Sequence, residues 1–104
     1  MNYKIKIDKD ALIDIQEITD WYNCELQGLG SRFQKQTVIQ INALKNNPFI
    51  HATRYDDIRC VVIKKFPFVI HYVINESQKA VTVFAIIHTS RNPKIWEIRK
   101  NKNN

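Results

Sequence analysis

The stretch IRCVVIKKFPFVIHYVI, residues 58–74, contains the pattern that decides the fold. Its two runs, 58–64 and 68–74, are rich in β-branched and aromatic residues, which favour strands. Lys65-Phe66-Pro67 separates them, as the loop of an antiparallel hairpin does. A polar turn, NESQK, and a third apolar run, AVTVFAIIH, follow. The pattern therefore predicts a three-stranded antiparallel meander that ends at His88.

The first half of the chain predicts one strand and two helices. YKIKI, residues 3–7, alternates polar and apolar side chains as a half-buried strand does. A first helix follows, whose apolar stripe recurs at three or four residues: Ala11, Leu12, Ile15, Ile18 and Tyr22. Gly28 and Gly30 indicate a turn. A second helix, with Phe33, Thr37, Ile41 and Leu44 buried, should end at Asn46-Asn47-Pro48, because a proline disfavours helical backbone in the residue before it. We also expect Trp21 to pack in the core or in the helical hairpin.

Together these elements predict an α+β fold with the order β-α-α-β-β-β. A helical hairpin packs on one face of a mainly antiparallel four-stranded sheet, and a short helical segment covers residues 93–100. Residues 1–100 form a single domain. Residues 101–104 form a disordered tail, since they are polar and have nothing to bury.

Composition and charge exclude several classes of function. Residues 1–52 carry six Lys/Arg and six Asp/Glu, whereas residues 53–104 carry ten and four, so the whole net charge of +6 comes from the second half. This asymmetry indicates an anionic partner, either nucleic acid or an acidic protein.

No apolar run is long enough to span a membrane, and we expect a cytoplasmic protein with reduced thiols at Cys24 and Cys60. No motif for ATP or metal chemistry is present, so we expect neither a cofactor nor a metal.

The candidate functional residues lie mainly in the basic second half. His88 ends the last strand and is a candidate acid–base group, and Arg91 follows it by three residues. Arg59 and Lys65, on or after the first meander strand, are expected on the exposed side or rim of the sheet with Arg91 and Arg99, where they would bind phosphate or an acidic peptide. Trp96 either packs across the end of the sheet or stacks on a base.

The whole pattern resembles the RelE/ParE superfamily of type II toxin-antitoxin toxins. The matching pieces are ALIDIQEITDWY, LGSRF, LKNNP, IRCVVIKKFPFVIHYVI and VFAIIHTSRNPKIWEIR, and they extend over nearly the whole chain. The resemblance implies the fold predicted above and an antitoxin partner, often with an acidic tail. It also implies one of two activities: RelE-like toxins cut mRNA on the ribosome without a metal, and ParE-like toxins poison DNA gyrase.

Compared with the RelE-like nucleases, Arg91 matches the arginine after their last strand, and Trp96 stands near their catalytic tyrosine. Where those nucleases have paired lysines on the first meander strand, this sequence has Arg59, Cys60, Val61 and Val62. Where they have an arginine early in the next strand, it has Val69. Tryptophan has no phenolic proton, so Trp96 cannot act as an acid or base.

KKFPFVIHY and IIHTSRNP look ParE-like. The resemblance therefore favours a ParE-like, plasmid-stabilisation type of toxin that inhibits gyrase without being an enzyme. It does not transfer the gyrase contacts, and from the charge and the aromatic residue of the second half we predict Arg59, Lys65, Arg91, Trp96 and Arg99 as the partner contacts. Two alternatives are a ribosome-dependent mRNA nuclease using His88, Arg91 and Arg59, and a degenerate toxin that only binds its antitoxin. The sequence leaves the target, the antitoxin and the stoichiometry open.

Overall fold

The computed structural model describes residues 2–90. Within them the chain forms two long helices and five strands: β1 (Lys4–Ile7), α1 (Lys9–Glu25), α2 (Leu29–Ala43), β2 (Thr53–Tyr55), β3 (Ile58–Val62), β4 (Phe68–Asn75) and β5 (Ala80–His88). A 3₁₀ turn, Pro48–Ile50, precedes β2. The strands form one mixed sheet with the spatial order β1-β5-β4-β3-β2.

The predicted α+β class, the helical hairpin and the meander are confirmed, but the predicted number of strands is wrong. The sheet has a fifth strand, β2, which pairs antiparallel with the start of β3. It has only three residues, two of them exposed, so it lacks the alternation that identifies a half-buried strand. β1 pairs parallel with β5, and all other pairings are antiparallel. The predicted helical segment over 93–100 and the tail 101–104 lie outside the described residues.

The predicted apolar stripes of the two helices are mostly correct. Phe33, Thr37, Ile41 and Leu44 of the second helix and its C-cap are all buried. On α1 two expectations are wrong: Leu12 is 53% exposed and Trp21 is 57% exposed. Thr19, which completes the four-residue spacing from Ala11 and Ile15, is buried in place of Leu12.

The turn between the helices depends on two glycines with different roles. Gly28 has a φ of 90°, a left-handed conformation that glycine adopts without strain. Gly30 lies one residue inside α2, where a Cβ atom would stand 2.1 Å from the carbonyl oxygen of Thr19. The Gly30 amide also donates a 2.8 Å hydrogen bond to Oδ1 of Asn23, which caps the start of α2. The close crossing of the helices therefore requires glycine at position 30.

A β-bulge in β5 changes the face of the sheet on which the later side chains of this strand lie. We call the face that carries α1 and α2 the helix face, and the opposite one the second face. His71 pairs with Ala85 and Tyr72 pairs with Val83, so Phe84 is an extra residue in β5. As a result Phe84, Ala85 and Ile87 all join a cluster on the second face, while Ile86 packs in the helix-face core.

Among residues 2–90, no helix is long and apolar enough to cross a membrane.

Candidate functional site

A cleft of about 760 Å³ lies between α1 and the end of β5. One wall consists of α1 residues: Asp14, Glu17, Ile18, Trp21 and Tyr22. The other wall consists of residues around the β3–β4 loop and the end of β5: Pro67, Phe68, Ile86, Ile87, His88 and Ser90. Concave sites that combine aromatic side chains with a few polar groups are the usual form of binding sites. The cleft is therefore the candidate functional site.

The sequence shows that three residues of the α1 wall share one helix face, although it does not show that this face borders a cleft. Asp14, Glu17 and Trp21 recur at three and four residues, which places them on one face of the helix beside the buried stripe. Oδ2 of Asp14 accepts a 3.0 Å hydrogen bond from the backbone amide of Ile86. β1 pairs with β5 only as far as Val83, so this bond is made past the end of that pairing. Asp14 thus ties α1 to a stretch of β5 edge that has no β1 partner.

His88 lies in this cleft, as the last residue of β5. Its ring packs edge to face on Phe68, with 5.1 Å between the ring centroids. Its Nδ1 accepts a 3.1 Å bond from the Ser90 amide and is 2.8 Å from the Ser90 hydroxyl. Since Nδ1 accepts the amide proton, a neutral His88 carries its own proton on Nε2. The predicted position at a strand end is confirmed, and the ring is half-buried rather than free on the surface.

Arg59 does not lie on the exposed side or rim of the sheet, where it was expected. It is on the opposite face from Cys60, as alternation predicts, but that face is the one covered by the helices and the 3₁₀ turn. Its Nη1 donates to the carbonyl oxygen of His51, and its guanidinium lies 5.1 Å from the centroid of the Phe49 ring. Arg59 is half-buried and holds the 3₁₀ turn against the sheet.

The structure does not bring Arg59 and His88 together. Arg59 pairs with Tyr72 and His88 pairs with Phe68, four residues along β4. At the spacing of strands they are about 13 Å apart along the sheet and about 10 Å apart across it. The two side chains therefore cannot hold the same phosphate while Arg59 keeps its bond to His51.

Lys65 lies in the β3–β4 loop, at the same end of the sheet as His88. It is exposed and has a φ of 72°. Pro67 of the same loop lines the cleft, and its carbonyl oxygen accepts a 3.0 Å bond from the Thr89 amide. The loop that carries Lys65 therefore borders the cleft that contains His88. Arg91, Trp96 and Arg99 lie outside the described residues.

The free edge of β3 next to this loop is covered by a side chain of α2. Nε2 of Gln40 donates to the Val62 carbonyl oxygen at 2.8 Å, and its Oε1 accepts from the Lys64 amide at 2.6 Å. One side-chain amide thereby makes the two bonds that a neighbouring strand would make.

A cysteine and a histidine form a contact on the second face. Sγ of Cys60 is 3.1 Å from Nδ1 of His71, which is fully buried. Burial raises the pKa of the Cys60 thiol to about 11, although the positive charge of Arg54 opposes this. Burial, with a smaller contribution from Arg54, lowers the pKa of His71 to about 4. At neutral pH both groups are uncharged, so Cys60 is a poor nucleophile. His71 is an in-sheet polar residue, as expected.

Of the five positions compared above with nuclease cations, Cys60, Val62 and Val69 lie on the second face, whereas Arg59 and Val61 lie on the helix face. Val62 pairs with Val69, and Cys60 lies two residues before Val62 on the same face. All three side chains are uncharged, so the described part of this face offers no cation to a phosphate at these positions. Among residues 2–90, no group of three or more His, Cys, Asp or Glu side chains is placed to hold a metal ion.

Solved structures of small bacterial toxins share this fold. The chain matches the chromosomal ParDE system of P. aeruginosa at 18% identity over 83% of this chain and 95% of that one, with a TM-score of 0.72. It matches a free double mutant of the E. coli toxin RelE at 15% identity over 98% of both chains, with a TM-score of 0.73. It also matches the intact E. coli RelBE toxin-antitoxin complex at 17% identity over 86% of this chain and 99% of that one, with a TM-score of 0.67. No curated protein matches the sequence. The class of fold is therefore that of the RelE and ParE toxins.

Within this class the sequence itself decides between families. Residues 5–93 match the model of the family described as ParE toxin of type II toxin-antitoxin system, parDE. The chain belongs to the ParE toxin family.

Proposed function

We propose that this protein inhibits DNA gyrase and that a cognate antitoxin neutralises it. Its membership of the ParE toxin family supports the toxin role. Similarity to toxins that were solved in toxin-antitoxin complexes, such as E. coli RelBE, supports the antitoxin partner. In this role the protein is a binder that traps the gyrase–DNA intermediate and performs no chemistry of its own.

One observation carries the choice of gyrase over mRNA. Cys60, Val62 and Val69, three of the five positions compared with the cations of RelE-like nucleases, form an uncharged row on the second face, and Val61 is uncharged as well. Cleavage of RNA without a metal needs positive groups near the phosphate, because negative charge develops there in the transition state. Arg59 cannot replace them, since its guanidinium is bound to the 3₁₀ turn on the other face.

We assign the partner contacts to the cleft and its rim. Trp21 presents a large apolar surface at the α1 wall, and exposed aromatic side chains in concave sites often dominate protein interfaces. Lys65, at the rim, adds a positive charge that suits an acidic partner segment. Arg91, which directly follows Ser90, and Arg99 and Trp96 further on remain predicted contacts.

The proposal is tested with purified toxin, gyrase, ATP and plasmid DNA. We expect loss of supercoiling and accumulation of linear DNA after protein denaturation, because a trapped cleavage intermediate releases double-strand breaks. Arg91→Ala and Lys65→Gln should weaken both effects. Lys35→Gln, which changes an exposed lysine on α2, serves as the matched control and should not.

Two results would overturn gyrase as the target. If gyrase is unaffected while translating ribosomes yield codon-spaced cuts in the message, the protein is a RelE-like nuclease. If neither assay responds but the protein still binds its antitoxin, it is a degenerate toxin. Copurification with the product of a neighbouring small gene tests the antitoxin separately.

A further inference from the structure

The cleft beside α1 has an acidic wall, although the protein as a whole is basic. Across Lys9–Glu25 the helix has one basic residue, Lys9, and five acidic ones: Asp10, Asp14, Glu17, Asp20 and Glu25. The carboxylates of Asp14 and Glu17 line the cleft, and the described residues of both walls include no lysine or arginine. A ligand that enters the cleft therefore meets negative charge, which repels the phosphates of nucleic acid and the carboxylates of an acidic peptide.

Glu17 is the carboxylate of this wall that is left for a ligand. Asp14 already accepts the hydrogen bond from the Ile86 amide, whereas Glu17 is exposed and makes no hydrogen bond or ion pair within residues 2–90. It precedes Trp21 by four residues, so the two side chains are neighbours on the helix surface, with about 5–6 Å between their Cβ atoms. Trp21 is 57% exposed and lines the same cleft. A carboxylate and an exposed aromatic ring thus lie side by side on one wall.

An arginine side chain fits this pair of groups better than other side chains do. Its planar guanidinium donates two hydrogen bonds to one carboxylate, and its face stacks on an aromatic ring. Tryptophan gives the strongest cation–π attraction of the aromatic residues. Apolar side chains make up much of the remaining lining, and they suit the methylene stem of an arginine and the apolar residues next to it: Ile18, Pro67, Phe68 and Ile87.

We propose that the cleft binds a segment of the cognate antitoxin through an arginine that pairs with Glu17 and stacks on Trp21. This inference rests on the proposed function, because it takes the antitoxin as the partner. The acidic wall disfavours the DNA of the gyrase–DNA intermediate as the occupant. The antitoxin segment then carries opposite charges in two places: its anchor in the cleft is cationic, and the part that passes the exposed Lys65 on the rim is acidic.

Calorimetric titration of the full-length chain with the purified antitoxin tests the anchor. We expect Glu17→Gln to weaken binding about tenfold and Glu17→Lys at least about 100-fold, since the second change places two cations together. Glu25→Lys is the matched control, because it makes the same change of charge on α1 at an exposed position that does not line the cleft. It should change the affinity by no more than about threefold.

Rescue by charge reversal distinguishes a direct contact from a general effect of charge. Each arginine of the antitoxin is replaced by glutamate in turn, and each variant is titrated into the parent chain and into the Glu17→Lys chain. One variant should bind the Glu17→Lys chain at least about tenfold more tightly than it binds the parent chain, because its glutamate then faces the new lysine.

Equal affinities of the Glu17→Lys and Glu25→Lys chains for the antitoxin, or the absence of any rescuing variant, would overturn this inference and leave the proposed function intact. Tighter binding by the Glu17→Lys chain would also overturn it, because an acidic segment would then occupy the cleft. If the parent chain binds no antitoxin, this inference and the antitoxin partner of the proposed function fail together, and the supercoiling assay still decides whether gyrase is the target.

Discussion

The thiol of Cys60 lies 3.1 Å from Nδ1 of His71, across the register that pairs β3 with β4. The contact is buried among apolar side chains, so it is compatible only with an uncharged imidazole. It makes the stability of the protein depend on pH.

We predict that the protein loses stability in mild acid because of His71. Its pKa falls from an ordinary value of 6.5 to about 4 in the folded chain. Between these values the unfolded chain binds a proton that the folded chain does not, so the free energy of unfolding decreases as the pH falls from 6.5 to about 4. The loss is at most about 3 kcal/mol. His71→Asn, which keeps an acceptor for the thiol, should remove most of this slope in denaturant titrations; an unaltered slope would assign it to other groups.

Gly30→Ala should destabilise the helical hairpin by about 3 kcal/mol, since the added methyl group meets backbone rather than a movable side chain. Gly28→Ala is the matched control. Nothing lies within 4 Å of its Cβ position, so only the left-handed backbone is strained, at a cost of about 1 kcal/mol. Urea unfolding of both variants measures the difference, and equal losses would contradict the close crossing at Gly30.

Gln40→Met should change association more than stability. Water can replace both lost hydrogen bonds at this exposed edge, so the free energy of unfolding should fall by about 1 kcal/mol or less. The uncovered edge of β3 would then be open to pairing with other chains, and light scattering should increase with concentration. Gln34→Met, at an exposed position on the same helix, should not aggregate. If the two variants behave alike, the side chain of Gln40 does not protect the edge.

Arg59→Ala should lower stability by about 1–2 kcal/mol, because it removes a hydrogen bond to a carbonyl group and a cation–π contact. Lys65→Gln, on the exposed loop, should stay within about 0.5 kcal/mol of the parent. Thermal unfolding distinguishes the two positions. An Arg59→Ala chain with unchanged stability and weaker partner binding would restore the interpretation of Arg59 as a surface contact.

Trp21→Ala should weaken the complex with the cognate antitoxin at least about 30-fold, as expected for an aromatic anchor at an interface. Stability should change little, because more than half of the side chain is already exposed. Leu26→Ala, at a similarly exposed apolar position that directly follows α1 and does not line the cleft, is the control. Calorimetric titration compares the three proteins. Equal affinities would place the antitoxin elsewhere.

The sequence predicted the elements whose side chains repeat with a regular period. The four-residue spacing from Phe33 to Ile41 and the apolar runs of β3, β4 and β5 each correspond to an observed element. It did not predict β2. This short, mostly exposed strand is defined only by its pairing with β3, and such pairing leaves no periodic signal in the sequence.

The candidate site was predicted less well than the fold. His88 was placed at the end of a strand from the apolar run before it. Arg59 was assigned to the correct side relative to Cys60, but alternation cannot say which of the two faces the helices and the 3₁₀ turn cover. Nor could it place Trp21 in a cleft, since the cleft is formed by segments distant in sequence.

The extra residue at Phe84 interrupts the alternation of side chains between the two faces of β5. Before it, Val81 and Val83 point to the helix face; after it, Ile86 does, and His88 follows by alternation. If Phe84 followed regular alternation instead of forming the bulge, every later side chain of the strand would turn over, and the His88 side chain would leave the helix face while the Ile87 side chain would point toward it. The bulge thus determines from which side of the sheet the side chain of His88 can be reached.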